Sequence, residues 1–328
     1  MALNITIIGL DLLGGSLGLA LGTLDQEALP TGRPAITGWD DDKRTLQDAR
    51  GRLMIDRAAR DLADAVRDAD IVVVNVPFDD LAATFDGIAR HLKYGAIVTD
   101  TLGSKAQVLA LAEARLPRNV DFIGGHALLS HAEKRPTKPS IDLFKGAIYC
   151  LVAGTSAQPN ALNTLDLLVT AIGAKPYYID AVEHDAYIAG VDHLPQIVAT
   201  ALMETLSRSR GWREMQPIAG AAFGAMTELA ASDPAASRAL CQSNSEAIER
   251  WINDLIRTLV ELRDTLQHGE QLEAIFAHAR DAHAQWMTAQ PHMRPGESDF
   301  YGQNEPEIDR GLGALFFGRR KPRGDRER

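Results

Sequence analysis

Short apolar runs alternate with helical patterns along the first 180 residues of the chain. Several runs are apolar at every position, as in "DIVVVNVP", which is typical of strands buried on both faces of a parallel sheet. The segments between them, such as "LGGSLGLALG" and "SKAQVLALAEAR", predict helices. This alternation predicts a doubly wound α/β domain over residues 1–180. The predicted strands are Ile5–Gly9, Ala35–Asp40, Asp70–Pro77, Ala96–Asp100, Asp121–Gly125, Ile148–Ala153 and Lys175–Asp180.

Beyond Asp180 only helical periodicity is found, which predicts an all-helical domain over residues 181–288. The stretch "HDAYIAGVDHLPQIVATALMETL" predicts one long helix bent near Pro195. A later helix, with Gly269 as its predicted stop, carries an apolar stripe that needs a partner surface, either in the core of the same domain or on a second chain. The stripe consists of Ile248, Trp251, Ile252, Leu255, Ile256, Leu259, Leu262 and Leu266. Residues 289–328 are rich in Pro, Gly and charge, and we expect a disordered tail there.

Composition narrows the class of protein. The chain of 328 residues is 45% hydrophobic and 24% charged, with a formal net charge of −10. This negative charge argues against nucleic acid or an anionic membrane as a partner. Strand-like sequence begins by Asn4, and no run approaches the ~20 apolar residues of a membrane span, so we expect a cytoplasmic protein. Cys150 and Cys241 lack metal-site or disulfide spacing, and we expect two thiols.

The N-terminal strand, turn and helix have the outline of a dinucleotide site, the mark of a Rossmann-type domain. Gly9 ends the strand, where it allows a tight turn, and Gly14 lets the following helix pack closely on the strand. The helix N-terminus offers N–H groups to a diphosphate. The predicted cofactor-binding turn is Gly9, Leu10, Asp11, Leu12, Leu13 and Gly14.

This turn departs from the usual G-x-G-x-x-G pattern, because Asp11 stands at the middle glycine. Two unit charges ~4 Å apart repel by about 1 kcal/mol in water, and by about 4 kcal/mol at an effective dielectric of 20. The carboxylate could cap the helix that begins at Leu12 or Leu13. For a bound nucleotide three interpretations are open: the carboxylate turns away from the phosphates, it lowers nucleotide affinity, or the pocket no longer serves a nucleotide.

Asp40 ends the second predicted strand and is the candidate for the adenosine ribose. A carboxylate there accepts hydrogen bonds from the ribose hydroxyls and repels a 2′-phosphate, which favours NAD over NADP. Lys43 and Arg44 follow closely and could pair with a 2′-phosphate, so NADP stays an alternative.

Several motifs occur in the order found in the prephenate/arogenate dehydrogenases of tyrosine biosynthesis, which the chain resembles over most of residues 4–265. The motifs are "IIGLDLLGGSLGLAL", "ADIVVVNVP", "VTDTLGSKAQVL", "FIGGHALL", "EHDAYIAGVDHLPQIVATAL" and "ELAASDP". The resemblance implies oxidative decarboxylation of a small cyclohexadienol acid. Hydride passes to a nicotinamide, carbon dioxide departs and the ring becomes aromatic. It also implies a homodimer through the helical domain, and cofactor contacts from Asn75, Val76 and Pro77.

The resemblance assigns the catalytic base to His126, which falls on the family's catalytic histidine. His126 follows a predicted strand and two glycines, at the sheet edge where α/β proteins bind ligands. A neutral imidazole there would take up the substrate's hydroxyl proton. Counted without a gap, Gly103 replaces the family's serine and Lys105 keeps its lysine; a one-residue shift makes Ser104 the hydroxyl near the histidine.

The predicted substrate residues depart from the family pattern in one direction. Asp192 replaces a serine and Glu228 an arginine expected to clamp a carboxylate, so negative charge is gained and a cation lost. His193 is kept, while Gln196 replaces a histidine and His131 a small hydroxyl residue. These changes disfavour a substrate with two carboxylates, unless cations of the following loop substitute; the candidates are His131, Lys134, Arg135 and Lys138. Arogenate carries an amine, and its positive charge would suit the added negative charge of Asp192 and Glu228 better.

Two other classes stay open at this point. One is a diverged family member with another substrate, or a catalytically weak nucleotide-binding or regulatory protein, favoured by Asp11, Gly103, Gln196 and Glu228. The other is a different two-domain dehydrogenase, such as a β-hydroxyacid dehydrogenase or an imine reductase. The "GGH" and "DHLP" segments argue against the latter.

Overall fold

The computed structural model describes residues 3–129 and 137–288. The described chain forms two compact units. One contains the chain up to Leu102 together with Gln107–Asp180, and the other contains Gly103–Ala106 and the chain from Ala181. Position 131 and the predicted tail 289–328 lie outside the described residues.

The first unit is built on one eight-stranded sheet with the strand order β3-β2-β1-β4-β5-β6-β7-β8. Neighbouring strands are parallel except β6 and β7, which are antiparallel. The strands are β1 Asn4–Ile8, β2 Ala35–Trp39, β3 Arg57–Ala58, β4 Ile71–Val74, β5 Ile97–Asp100, β6 Asp121–Leu128, β7 Ile148–Ala153 and β8 Lys175–Tyr178. The predicted α/β class is confirmed. Seven strands were expected, and β3 was missed because two residues are too short to show a period.

Both faces of this sheet are covered. Ile71 and Val73 of β4 pack into one apolar cluster, whereas Val72 and Val74 pack into another. This two-sided burial explains why the run is apolar at every position. The helices that begin or lie in this part of the chain are α1 Leu12–Leu21, α2 Lys43–Gly51, α3 Leu62–Val66, α4 Phe78–Ala89, α5 Ala106–Arg115 and α6 Pro159–Ala171.

From Ala181 onward the described chain of the second unit is helical, as predicted. Its α-helices are α7 Ala181–Ile188, α8 Leu194–Ser207, α9 Trp212–Met215, α10 Ala221–Thr227, α11 Pro234–Ser243, α12 Ser245–Thr265 and α13 Gly269–Thr288. A π-helical turn spans Ala189–His193, and 3₁₀ turns span Gln216–Ile218 and Glu228–Ala231. Its buried apolar cluster is small: in the described chain only Ala189, Ala247 and Ile248 are its fully buried members.

Two local predictions in the helical unit need correction. Where a bend near Pro195 was expected, the structure has the π-helical turn Ala189–His193, and Pro195 lies in the first turn of α8. Proline has no backbone N–H and cannot donate the hydrogen bond to the carbonyl of the preceding helical turn. Both a wider π-helical turn and a position in the first turn of a helix accommodate this missing bond. Gly269 does not stop a helix: α12 ends at Thr265 and Gly269 is the first residue of α13.

Candidate functional site

The glycine turn lies between the carboxyl ends of β1 and β4, where the strand order of the sheet reverses. Gly9 has φ +88°, and a Cβ on it would lie 1.9 Å from the carbonyl oxygen of Asn75. A Cβ on Gly14 would lie 1.9 Å from the carbonyl oxygen of Gly9. Both positions therefore require glycine, and the turn sits at the point where doubly wound sheets bind ligands.

Asp11 caps helix α1. Its Oδ1 accepts hydrogen bonds from the backbone N–H groups of Leu13 at 2.9 Å and Gly14 at 3.3 Å. The same oxygen accepts a third bond, 2.7 Å long, from Nδ2 of Asn75. The capping interpretation of Asp11 is confirmed, and the carboxylate bonds directly to the helix N-terminus that a diphosphate would approach.

Asn75 links three neighbouring strand ends. It follows β4 and is buried; its Nδ2 also donates to the Gly9 carbonyl at 3.2 Å. Its Oδ1 accepts a 2.6 Å bond from the hydroxyl of Thr101, which directly follows β5. Asn75 thus hydrogen-bonds the glycine turn to the end of β5, while Val76 and Pro77 lead into α4.

Asp40 lies one residue beyond β2 and is tied to the same turn. Its Oδ2 accepts a 2.8 Å bond from Leu10 N, and its Oδ1 a 2.9 Å bond from Asp42 N. Burial is the main cause that raises the pKa of Asp40 above its ordinary value. Each carboxylate oxygen keeps acceptor capacity for a ribose hydroxyl. Lys43 and Arg44 open α2 and are exposed, so the alternative of a 2′-phosphate stays open.

His126 lies inside strand β6, and the expectation that it follows a strand was wrong. It pairs with Cys150 of the antiparallel strand β7, and this ladder extends β6 to Leu128. Pairing with β5 stops earlier, at Ile123. The half-buried His126 therefore lies past the carboxyl end of β5, where ligands bind in such sheets.

Close packing requires a glycine at position 125, directly before His126. Gly125 N donates to Asp100 Oδ1 at 3.2 Å, and a Cβ on Gly125 would lie 2.5 Å from the Asp100 carbonyl oxygen. The same Cβ would lie 2.9 Å from the Tyr149 hydroxyl oxygen. Burial, and then the charge of Asp100, raise the pKa of Tyr149, so its phenol is neutral at physiological pH.

In the helical unit, Asp185 anchors the short segment Gly103–Ala106. Its two carboxylate oxygens accept bonds from Lys105 N at 2.7 Å and Ala106 N at 2.9 Å. Ser104 and Lys105 are buried beside it, and Nδ1 of His184 lies 2.8 Å from Asp185 Oδ1. Sequence reasoning assigned no role to Asp185; the available signal was the His-Asp pair that opens "HDAYIAG".

His193 is fully buried on the π-helical turn. Its Nδ1 lies 3.5 Å from Asn244 Nδ2, while its Nε2 has no hydrogen-bond partner in the described part of the chain. Burial is the largest influence on the pKa of His193 and lowers it, which favours the neutral ring. Asp192, half-exposed with Oδ2 4.0 Å from Nε2, opposes this shift. π-turns occur frequently at functional sites.

The remaining predicted substrate residues have different surroundings. Gln196 Nε2 donates to the hydroxyl of Ser237 on α11. Glu228 begins a 3₁₀ turn and is exposed, as is Lys138 in the first unit. The other candidate cations and His131 lie outside the described residues.

The fold and the glycine turn define a class: a doubly wound nucleotide-binding unit followed by a helical unit. Comparison with known families gives the particular one. The model of the prephenate dehydrogenase nucleotide-binding domain matches residues 30–178, and that of the prephenate dehydrogenase dimerization domain matches residues 180–280. The chain belongs to the prephenate dehydrogenase family of oxidoreductases. The alternative of a β-hydroxyacid dehydrogenase or an imine reductase is therefore wrong.

Two curated relatives align over most of the chain. Identity to the prephenate dehydrogenase of Bacillus subtilis is 27% over 286 residues, which covers 85% of this chain and 74% of the relative. Identity to the cyclohexadienyl dehydrogenase of Zymomonas mobilis is 24% over 283 residues, covering 85% of this chain and 94% of the relative.

Solved structures share the fold at 22% identity. The prephenate dehydrogenase from A. aeolicus, in complex with hydroxyphenyl propionate and NAD+, superposes with a TM-score of 0.77 over 87% of this chain and 98% of that one. Synechocystis arogenate dehydrogenase superposes with a TM-score of 0.72 over 87% of this chain and 100% of that one. No helix within residues 3–129 and 137–288 is long and apolar enough to cross a membrane.

Proposed function

We propose that this protein is an NAD-dependent dehydrogenase that oxidatively decarboxylates a cyclohexadienol acid of the prephenate/arogenate type. The observation that carries the proposal is that one sheet bears both a turn restricted to glycine at positions 9 and 14 and a histidine past the carboxyl end of β5. Membership of the family, and relatives named prephenate and cyclohexadienyl dehydrogenase, support the reaction class.

The chain's residues fit a dinucleotide. The close approach of Gly9 and Gly14 places the α1 N-terminus, which Asp11 caps, where a diphosphate would bind, while Asp40 would accept bonds from the ribose hydroxyls. Because Asp40 is a carboxylate, it favours NAD+ over NADP+. When bound, the nicotinamide supplies the hydride acceptor. Val76 and Pro77, which follow β4, are proposed to line the same site.

His126 is proposed as the base. A neutral imidazole can accept the proton of the substrate's ring hydroxyl as hydride leaves the carbon that bears it. The β6–β7 ladder fixes the backbone of His126, because the residues before and after it also pair with β7. Fixed placement matters, because the rate depends on the alignment of the reacting atoms. Ser104 stays a proposed hydroxyl partner in this reaction.

Charge favours an amine-bearing substrate such as arogenate over prephenate. At the positions proposed to meet the substrate, Asp192 and Glu228 are acidic and His193 is neutral, while Gln196 already donates to Ser237. Prephenate carries two carboxylates and no cation, so it would meet more repulsion than arogenate, whose ammonium offsets one carboxylate.

The test is the formation of NADH or NADPH by the purified chain with each substrate and each cofactor. We expect turnover with NAD+, a higher kcat/KM for arogenate than for prephenate, and a kcat reduced about 10²–10⁴-fold in His126→Gln with NAD+ affinity retained. Absence of turnover with both substrates would reject the proposal. Undiminished turnover in His126→Gln would reject the base assignment.

A second candidate function is nucleotide binding without turnover, favoured by the combined departures from the family's motifs at Asp11, Gly103, Gln196 and Glu228. Tight NAD+ binding with no turnover across a panel of cyclohexadienol acids would support it, and robust turnover of any member would remove it. A homodimer through the helical unit and a cytoplasmic location are further parts of the proposal. The dimer is supported by the matched dimerization domain.

A further inference from the structure

We propose that Asp11 is an internal competitor for the diphosphate of the nucleotide, and that the nucleotide binds by displacing the Asp11 carboxylate from the N-terminus of α1. This inference rests on the proposed function, because it requires that a dinucleotide uses the glycine turn.

The first argument is that one oxygen of the Asp11 carboxylate already accepts from the N–H groups that would bind a phosphate oxygen. Asp11 Oδ1 accepts from Leu13 N, Gly14 N and Asn75 Nδ2 at 2.9, 3.3 and 2.7 Å. In this fold a diphosphate binds the N–H groups at the same helix end. The Asp11 oxygen therefore marks the place that a phosphate oxygen would take, and both anions cannot accept the same three donors.

The second argument is charge. The first turn of α1 contains no acidic residue of its own, so Asp11 is the carboxylate that meets the incoming anion there. Two negative groups in contact repel, and the repulsion grows as water is excluded from the site. The Asp11 residue is exposed, so its carboxylate can swing into solvent without moving the surrounding core.

The third argument is that the backbone of the turn does not depend on a glycine at position 11. Asp11 has φ −67° and ψ −157°, an extended conformation that any residue adopts. Removing its side chain therefore removes the competitor without requiring a new turn. Gly9 and Gly14, by contrast, admit no side chain.

Asn75 and Thr101 keep the donor set in place. The Thr101 hydroxyl donates to Asn75 Oδ1, which orients the amide so that its NH₂ group faces Gly9 and Asp11. When the carboxylate leaves, this NH₂ group is already aimed at the position of Oδ1. The site is thus preorganised for an anion, and the Asp11 carboxylate of the chain itself occupies it.

The experiment measures Kd for NAD+ and for ADP by calorimetry in the native chain, in Asp11→Gly and in Asp11→Asn. We expect Asp11→Gly to lower Kd about tenfold for both ligands, which corresponds to about 1.4 kcal/mol. Asp11→Asn should lie between, because its amide oxygen still accepts from the helix but carries no charge. Asn is also a good N-cap, which keeps this variant folded.

The matched control is Asp61→Gly. Asp61 caps α3 through a 2.7 Å bond from Asp64 N, so its replacement also removes a helix cap, but at another helix. We expect Asp61→Gly to lower thermal stability and leave both Kd values unchanged. Asp11→Gly should lower thermal stability as well, but it should also tighten the binding of NAD+ and ADP. A loss of stability together with a gain in affinity distinguishes competition from a general effect on the fold.

An NAD+ affinity that is unchanged or weaker in folded Asp11→Gly and Asp11→Asn would overturn the inference while the proposed function stands. A gain in affinity shared by Asp61→Gly would also overturn it. If neither the native chain nor any variant bound NAD+ or NADP+, the inference and the proposed function would both fail.

Discussion

At the scale of single residues, the site is arranged around backbone positions as much as around charges. Gly9, Gly14 and Gly125 each lie so close to another backbone that a Cβ would overlap it. Asp11 and Asp185 each accept from backbone N–H groups of a turn or segment that carries predicted site residues, and the Asn75 side chain donates to the Gly9 carbonyl of the glycine turn. Polar side chains thus set the geometry of the turns on which the chemistry depends.

We expect His193 to make the stability of the protein depend on pH. Burial lowers its pKa below the usual 6.5, although Asp192 and Asp185 oppose that shift. Because the unfolded chain binds the proton more readily, the stability from the neutral ring is complete above pH 6.5 and is lost as the pH falls below that value.

We therefore expect the native chain to lose more unfolding free energy than His193→Gln between pH 7 and pH 5, which is the range about the usual pKa. Urea unfolding at a series of pH values measures the difference. His184, which neighbours Asp185, is retained in both proteins and serves as the internal control. Parallel pH profiles would show that His193 does not contribute.

At the scale of elements, the π-helical turn packs against α12 through an aromatic contact, in addition to the apolar cluster of Ala189, Ala247 and Ile248. Trp251 of α12 donates from Nε1 to the Ala186 carbonyl at 2.9 Å, and its ring covers Gly190. A Cβ on Gly190 would lie 2.7 Å from the indole. The turn that carries His193 is therefore packed against α12 without space for a side chain at position 190.

Gly190→Ala should push the indole away and lower the free energy of unfolding by about 1–3 kcal/mol, the usual cost of overpacking. The matched control is Gly224→Ala in α10, where a Cβ meets nothing within 4 Å. There alanine should be neutral or stabilising by up to about 1 kcal/mol, because it is the better helix former. Equal effects at the two positions would contradict the packing role of Gly190.

At the scale of the whole molecule, the two units differ in how much apolar surface they bury. The first has two extensive clusters, one on each face of the sheet, whereas the second has three fully buried apolar residues in its cluster within the described chain. Large side chains of α12 stay exposed, with Ile256 at 50%, Leu259 at 54% and Leu266 at 64%. Such a face is typical of a surface that another chain covers.

We expect the protein to be a dimer at micromolar concentration and Leu259→Glu to shift it towards monomer, because a buried carboxylate without a partner is costly at an interface. Sedimentation at several concentrations measures the shift. Asn253→Glu, an exposed polar position on the same helix, should leave the dimer intact. A native chain that is monomeric, or a dimer unaffected by Leu259→Glu, would contradict the predicted interface.

Elements with strong local patterns could be predicted from the chain alone. The fully apolar β4 and the glycine turn were recognisable because neighbours a few residues apart determine them. The two-residue β3 and the π-helical turn were not, since neither leaves a periodic trace. His126 was assigned to the wrong side of a strand end because β7, which extends β6, pairs from more than 20 residues further along the chain.

By itself the sequence determined the α/β and helical halves, the glycine requirement of the first turn and the capping tendency of Asp11. Each of these depends on burial pattern or hydrogen bonding within a few residues. Only the tertiary structure decided what surrounds them: Asn75 reaches Asp11 across 64 positions, and Asp185 reaches Lys105 across 80. Such contacts depend on how strands and helices pack, and packing brings together residues whose separation along the chain carries no pattern.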